Sequence, residues 1–212
     1  MPVDRIIRWG IPGWILLAWL LILYSVTYHE QVFEFLKNDS IESLSITAVF
    51  ASVGVPIGYL IHELYFLVTW TSRNLNENLD RITTKVESFP YPDGWEEMND
   101  KEKYYFIEFL WDKHVHQLED EGHRNALIER YRGRLTLIHS LGTLFISTFC
   151  AIIITILVCI FFIEFSVMAV VILLLQIGIA IFVYKNFKYH SDHLKDYQGH
   201  YLNDLIVNSK KQ

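Results

Sequence analysis

Four long runs of apolar residues, approximately Trp9–Tyr28, Leu44–Thr71, Leu135–Ile163 and Phe165–Tyr184, alternate with charged stretches along the chain. A bilayer core of about 30 Å needs roughly 20 predominantly apolar helical residues, and each run is that long. The pattern predicts an all-α protein with four membrane-spanning helices and helical extensions outside the membrane. Four segments follow: a first helix pair with its short outer loop over 1–71, a charged helical segment over 72–134, a second helical hairpin over 135–184, and a C-terminal helix over 185–212.

Basic residues orient the spans. Arg5 and Arg8 precede the first run, ten Lys and Arg lie between the second and third, and five follow the fourth. Seventeen of the eighteen basic residues thus fall in segments on one side, and only Lys37 lies on the other. The positive-inside bias places both termini and the middle segment in the cytoplasm, and the expected location is the plasma (inner) membrane. The first run is too long for the apolar core of a cleaved signal and has no small-residue cleavage site after it, so it is expected to remain as an anchor.

Within the spans, Pro56 is expected to kink the second helix, while Gly54 and Gly58 form a small-x-x-x-small pair that lets helices approach closely. Outside them, Leu75, Leu79, Ile82 and Val86 keep a helical spacing that extends the second span. The Phe89-Pro90-Tyr91-Pro92-Asp93-Gly94-Trp95 stretch breaks that helix, and Asn99 and Asp100 offer a cap for a new one. That helix is expected to run almost unbroken into the third span, with bends at Gly122 and Gly133. Gln31–Lys37 reads as a small interfacial helix, and Phe187, Leu194, Tyr197, Tyr201 and Leu205 as the buried face of the tail.

Charge and cysteine content narrow the function. A net charge of −6 offers no broad basic surface, so no nucleic acid is expected as a partner. Cys150 and Cys159 lie nine positions apart on one predicted helix and cannot form a disulfide with each other. Arg130, Arg132 and Arg134 sit directly before the third span, where they anchor topology or face anionic lipid headgroups.

Polar residues inside predicted spans carry the candidate chemistry, because they are costly there unless they face protein or water. His62 and Glu63 in the second span lie about 14 Å from its cytoplasmic end, Gln176 at a similar depth in the fourth, and His139 about 8 Å deep in the third. His139, Thr143, Ser147 and Cys150 share one helix face. The set His62, Glu63, His139, Thr143, Ser147 and Gln176 therefore reads as an inner-leaflet polar layer: interhelical hydrogen bonding, a cavity or ion path, or ligands for a bound group. His62 and His139 have the residue type of axial haem ligands. His116, Asp120 and His123, and again His193, Asp196 and His200, have spacings at which one helix face could hold a metal; the cofactor itself stays unspecified. A zinc-protease H-E-x-x-H is absent, since Phe66 stands where its second histidine belongs. Arg134 and His139 share the R-x4-H spacing of the HEPN ribonucleases, a resemblance covering six residues; a histidine inside a span would be out of reach of RNA.

The expected function is a homo-oligomeric channel, pore-forming or membrane-signalling protein. The alternatives are a haem- or metal-binding redox protein and a non-catalytic scaffold that recruits a cytoplasmic protein partner. Enzymatic chemistry has no motif to support it.

Overall fold

The structure, a computed structural model, describes residues 3–28, 40–72, 76–161 and 167–209. Six helices account for most of them: α1 (Val3–Thr27), α2 (Ser40–Ser72), α3 (Asn76–Thr83), α4 (Asp100–His116), α5 (Glu121–Phe161) and α6 (Val167–Ser209). A single 3₁₀ turn, Trp95–Glu97, precedes α4, and there is no strand among the described residues. Four of the helices, α1, α2, α5 and α6, are long and apolar enough to cross a membrane. Gln31–Lys37 lies outside the described residues, as does Leu75.

The helix boundaries have local causes. Gly94 holds φ at 77°, a left-handed conformation that favours glycine, and its carbonyl accepts from the Glu97 N–H at 2.9 Å. Asn99 then caps α4. Its Oδ1 accepts from the backbone N–H of Lys101 and Glu102, both at 3.0 Å, while Glu102 reaches back to the Asn99 N–H at 2.8 Å. The sequence does not run unbroken into the third apolar run as expected. α4 stops at His116, and Asp120 starts α5 by accepting from the N–H of Gly122 and His123 at 2.9 and 3.1 Å. From there α5 continues through Gly133 to Phe161 without interruption. Of the stripe over 75–86, α3 holds Leu79 and Ile82; residues 73–75, between α2 and α3, lie outside the described residues.

The chain divides into two compact units. Unit 1 comprises residues 1–71 and 139–186. It is packed on small residues. A Cβ placed on Gly13 would strike the Gly54 carbonyl oxygen, one on Gly58 the Trp9 carbonyl oxygen, and one on Gly54 the Trp14 indole. α1 and α2 therefore cross backbone to backbone at the expected Gly54/Gly58 pair, with Gly13 as its counterpart. On α5, Thr143, Ser147, Ala151, Thr155 and Cys159 recur every fourth residue, and none is more than 4% exposed. On α6, Ala169, Ile172, Gln176, Ala180 and Val183 form the corresponding buried stripe.

Unit 2 comprises residues 72–138 and 187–212 and has a core of large apolar side chains. Leu79, Ile82, Val86, Phe89, Ile107, Leu110, Leu202 and Ile206 form one cluster, flanked by Trp95, Tyr104 and Phe106. Trp111, Val115 and Leu127 form a second, against Tyr131, Tyr197, Tyr201 and Leu205. On the tail the buried stripe is Ser191, Leu194, Gln198, Leu202 and Ile206. Of the expected face only Leu194 is fully buried; Phe187, Tyr197, Tyr201 and Leu205 are half-buried beside it.

Candidate functional site

The expected polar layer separates into two places. At one, α2 and α5 bring together an aromatic box. The Tyr65 hydroxyl lies 3.3 Å from His139 Nδ1, and Phe66 packs against both imidazoles, with ring centroids 4.8 Å from His62 and 5.1 Å from His139. A Cβ on Gly142 would meet the Tyr65 ring, so glycine on α5 is what lets this tyrosine seat. His62 and His139 are half-buried, and Glu63 is exposed.

Gln176 is elsewhere. Its Nε2 donates to Thr155 Oγ1 at 3.1 Å, and both residues are buried. Thr155 lies sixteen residues beyond His139, about 24 Å along the helix. Gln176 Oε1 meets no hydrogen-bond donor among the described residues.

The histidines also sit further toward the basic end than residue counting implied. The Phe145 and Tyr184 rings are 5.4 Å apart, which sets Lys185 beside Phe145. His139 is six residues past that level, about 9 Å closer to the basic end. The close approach of Gly58 to the Trp9 carbonyl fixes α1 against α2. His62 is four residues beyond Gly58, about 6 Å, and so past the backbone level of Arg8. Levels counted along each helix from its own end, Arg134 or Thr71, therefore differ from the relative levels that these interhelical contacts give.

The hydroxyl stripe is spent on packing. Ser147 Oγ donates to the Pro12 carbonyl at 2.6 Å, Thr143 Oγ1 to the Ser140 carbonyl at 3.0 Å, and Thr148 Oγ1 to the Leu144 carbonyl at 2.9 Å. Side-chain hydroxyls bonded to carbonyls in this way satisfy themselves without water. Cys150, assigned to the same face, is half-buried and off the ridge; both cysteines are free. Sequence reasoning missed Thr155, Ala151 and Cys159, although their four-residue spacing with Ser147 was available.

Neither a haem held by both imidazoles nor a three-ligand metal centre is assembled among the described residues. The rings of Phe66 and Tyr65 fill the space beside the two imidazoles, where a haem plane ligated by both would have to lie. Among the described residues no three His, Cys, Asp or Glu side chains converge to hold a metal. His116 ends α4 and Asp120 caps α5, so with His123 they do not share one helix face. In the tail, Asp196 pairs with Lys85 at 2.8 Å, His200 Nε2 lies 3.4 Å from the same ammonium, and His193 binds Arg134.

Several ionisable groups of unit 2 are shifted by their surroundings. The Lys85 ammonium hydrogen-bonded to Asp196 holds that carboxyl below its usual range. Burial pushes Tyr131 up to about 12, helped by Glu108 and Asp112. Burial also raises Tyr104, whose hydroxyl donates to Glu108 Oε1 at 2.6 Å. His114 is lowered by burial and by Lys113. A second ion pair, Arg81 to Asp192 at 3.1 Å, and a bond from the Glu87 N–H to Asn203 Oδ1 at 3.0 Å tie the 76–87 segment to the tail helix.

Arg134, of the basic cluster, lies 4.2 Å above the Tyr197 ring and donates from Nη1 to His193 Nδ1 at 2.9 Å. Arg130 and Arg132 are exposed. Arg134 engages His193, and His139 lies beside the Tyr65 hydroxyl. No family model, curated protein or solved structure matches the chain.

Proposed function

We propose that the chain is a four-span membrane protein with both termini and unit 2 on the cytoplasmic side, acting as a homo-oligomeric scaffold or signalling protein that presents unit 2 to a soluble partner. The observation that carries this reading is the fate of the polar stripe. Thr143, Ser147 and Thr155 are buried and bonded within unit 1, as packing groups rather than a water-lined path. Unit 2, by contrast, has a core of its own and an exposed charged surface, the equipment of a domain that works in water. With the membrane edge near Arg8 and Lys185, His62, Glu63 and His139 fall in the headgroup zone, where an exposed carboxylate costs little.

Reconstitution into liposomes tests the reading against the channel alternative. Proton and potassium flux should match protein-free vesicles, and Glu63→Ala should change nothing. A flux that Glu63→Ala abolishes would establish the pore instead. Orientation is checked by trypsin on inside-out membrane vesicles, which should cut within 101–134; protection there would reverse the topology.

A further inference from the structure

We infer that Arg130, Arg134 and His193 form a binding site for a phosphate-bearing ligand, lying where the chain leaves the membrane. Four other cations of unit 2 lie within ion-pair distance of carboxylates: Arg81 and Lys195 of Asp192, Lys85 of Asp196, Arg124 of Glu121. Among the described residues no carboxylate pairs with Arg130 or Arg134. Two guanidinium groups one helical turn apart, left without counter-charge on a chain of net charge −6, are an anion site in waiting.

The site is also built rather than merely charged. Arg134 is held over Tyr197, its Cζ 4.2 Å from the ring centroid, and Tyr197 in turn packs on Tyr201 with ring centroids 4.5 Å apart. Arg130, exposed, lies one helical turn before Arg134 on α5. A guanidinium fixed in its plane presents its fork to phosphate oxygens with little further ordering. The bond from Arg134 to His193 defines the imidazole as well. Guanidinium can only donate, so Nδ1 accepts, and a neutral His193 must carry its proton on Nε2 as an additional donor. Tyr189 lies parallel to that ring at 6.1 Å.

Position in the sequence supplies the ligand class. Arg134 immediately precedes the third apolar run, and His193 follows the end of the fourth by nine residues, with Lys185 and Lys188 exposed between. Basic residues at this place meet the anionic headgroups of the inner leaflet. Phosphate on a lipid and phosphate on a soluble metabolite offer the same oxygens. The inference goes beyond the scaffold reading and does not depend on whether unit 2 recruits a protein.

The test is a titration of the full chain in neutral detergent with dioctanoyl phosphatidic acid, followed by native mass spectrometry. Dioctanoyl phosphatidylcholine is the lipid control and inositol hexakisphosphate the soluble phosphate. Saturable binding of phosphatidic acid is expected, weakened about tenfold or more in the Arg130→Gln/Arg134→Gln variant and unchanged in Arg132→Gln. Tighter binding of inositol hexakisphosphate with the same arginine dependence would support the site and assign it to a soluble ligand. Binding that survives the double substitution, an equal loss in Arg132→Gln, or no saturable binding of either phosphate would overturn it.

Discussion

Units 1 and 2 are both made of helices, and the same two long helices, α5 and α6, contribute to each, yet the packing differs in kind. Unit 1 is joined by glycine, alanine, serine and threonine: Gly13 against Gly54 and Gly58, and the Thr143–Ser147–Ala151–Thr155 ridge. Unit 2 is joined by large side chains such as Phe89, Ile107, Trp111 and Leu202. In the proposed topology, with unit 1 in lipid and unit 2 in water, the contrast follows from the solvent. Lipid is as apolar as leucine, so burying a large side chain between spans gains little, whereas bringing backbones close gains dispersion and hydrogen bonds. In water, removal of apolar area dominates. One helix can therefore require different residues at its two ends.

The sharpest way to break this comparison is to exchange the two logics. Leu202→Ala in unit 2 opens a cavity at a fully buried position and should cost about 2–5 kcal/mol, read as a shift in the denaturant midpoint by circular dichroism. Gly58→Leu in unit 1 removes no apolar area, yet it should cost about 1–3 kcal/mol because its side chain meets the Trp9 backbone. A stabilised Gly58→Leu would show that α1 and α2 do not approach as described.

Alkali should act on unit 2. Tyr131 and Tyr104 have folded pKa values above the ordinary tyrosine value near 10, so the folded state holds their protons longer than the unfolded state does. Their contribution is complete below about pH 10 and is lost as pH rises through the folded value of Tyr131, about 12. Tyrosinate absorbance at 295 nm should show late-ionising tyrosines, Tyr104 and Tyr131 among them, that titrate together with loss of helicity. Normal titration of all tyrosines before unfolding would contradict the burial assigned to them. The smallest effect belongs to Gln176→Leu. It loses the bond to Thr155 but also removes an acceptor without a donor among the described residues, and should change stability by less than about 1 kcal/mol. A large loss would mean that this pair does more than join α5 to α6.

Much of the fold was legible from pattern alone. The four apolar helices, the break over 89–95 and the cap at Asn99 follow from local chemistry that the sequence carries in full. The depth of the polar residues was not legible. It depends on how one helix slides along another, and the contacts that fix this, Phe145 with Tyr184 and Gly58 with Trp9, are non-local. Counting from the nearest charge set His62 and Gln176 in one layer, whereas Gln176 pairs with Thr155, far along α5 from His139. The hydroxyl stripe was visible, but its meaning was not: a water-lined face and a close-packed ridge use the same small polar residues. Ala151, apolar and fully buried between Ser147 and Thr155, decides for the ridge.

The most direct test is the reactivity of single cysteines, in membranes, toward a charged methanethiosulfonate reagent. In a background with Cys150→Ser and Cys159→Ser, cysteine is introduced in place of His139 or of Ser147. Rapid labelling is predicted at position 139, which the proposed topology puts in the headgroup zone, and none at position 147, sealed against the Pro12 carbonyl. Labelling at position 147 would mean that water reaches the stripe, and that the chain forms a pore rather than a close-packed scaffold.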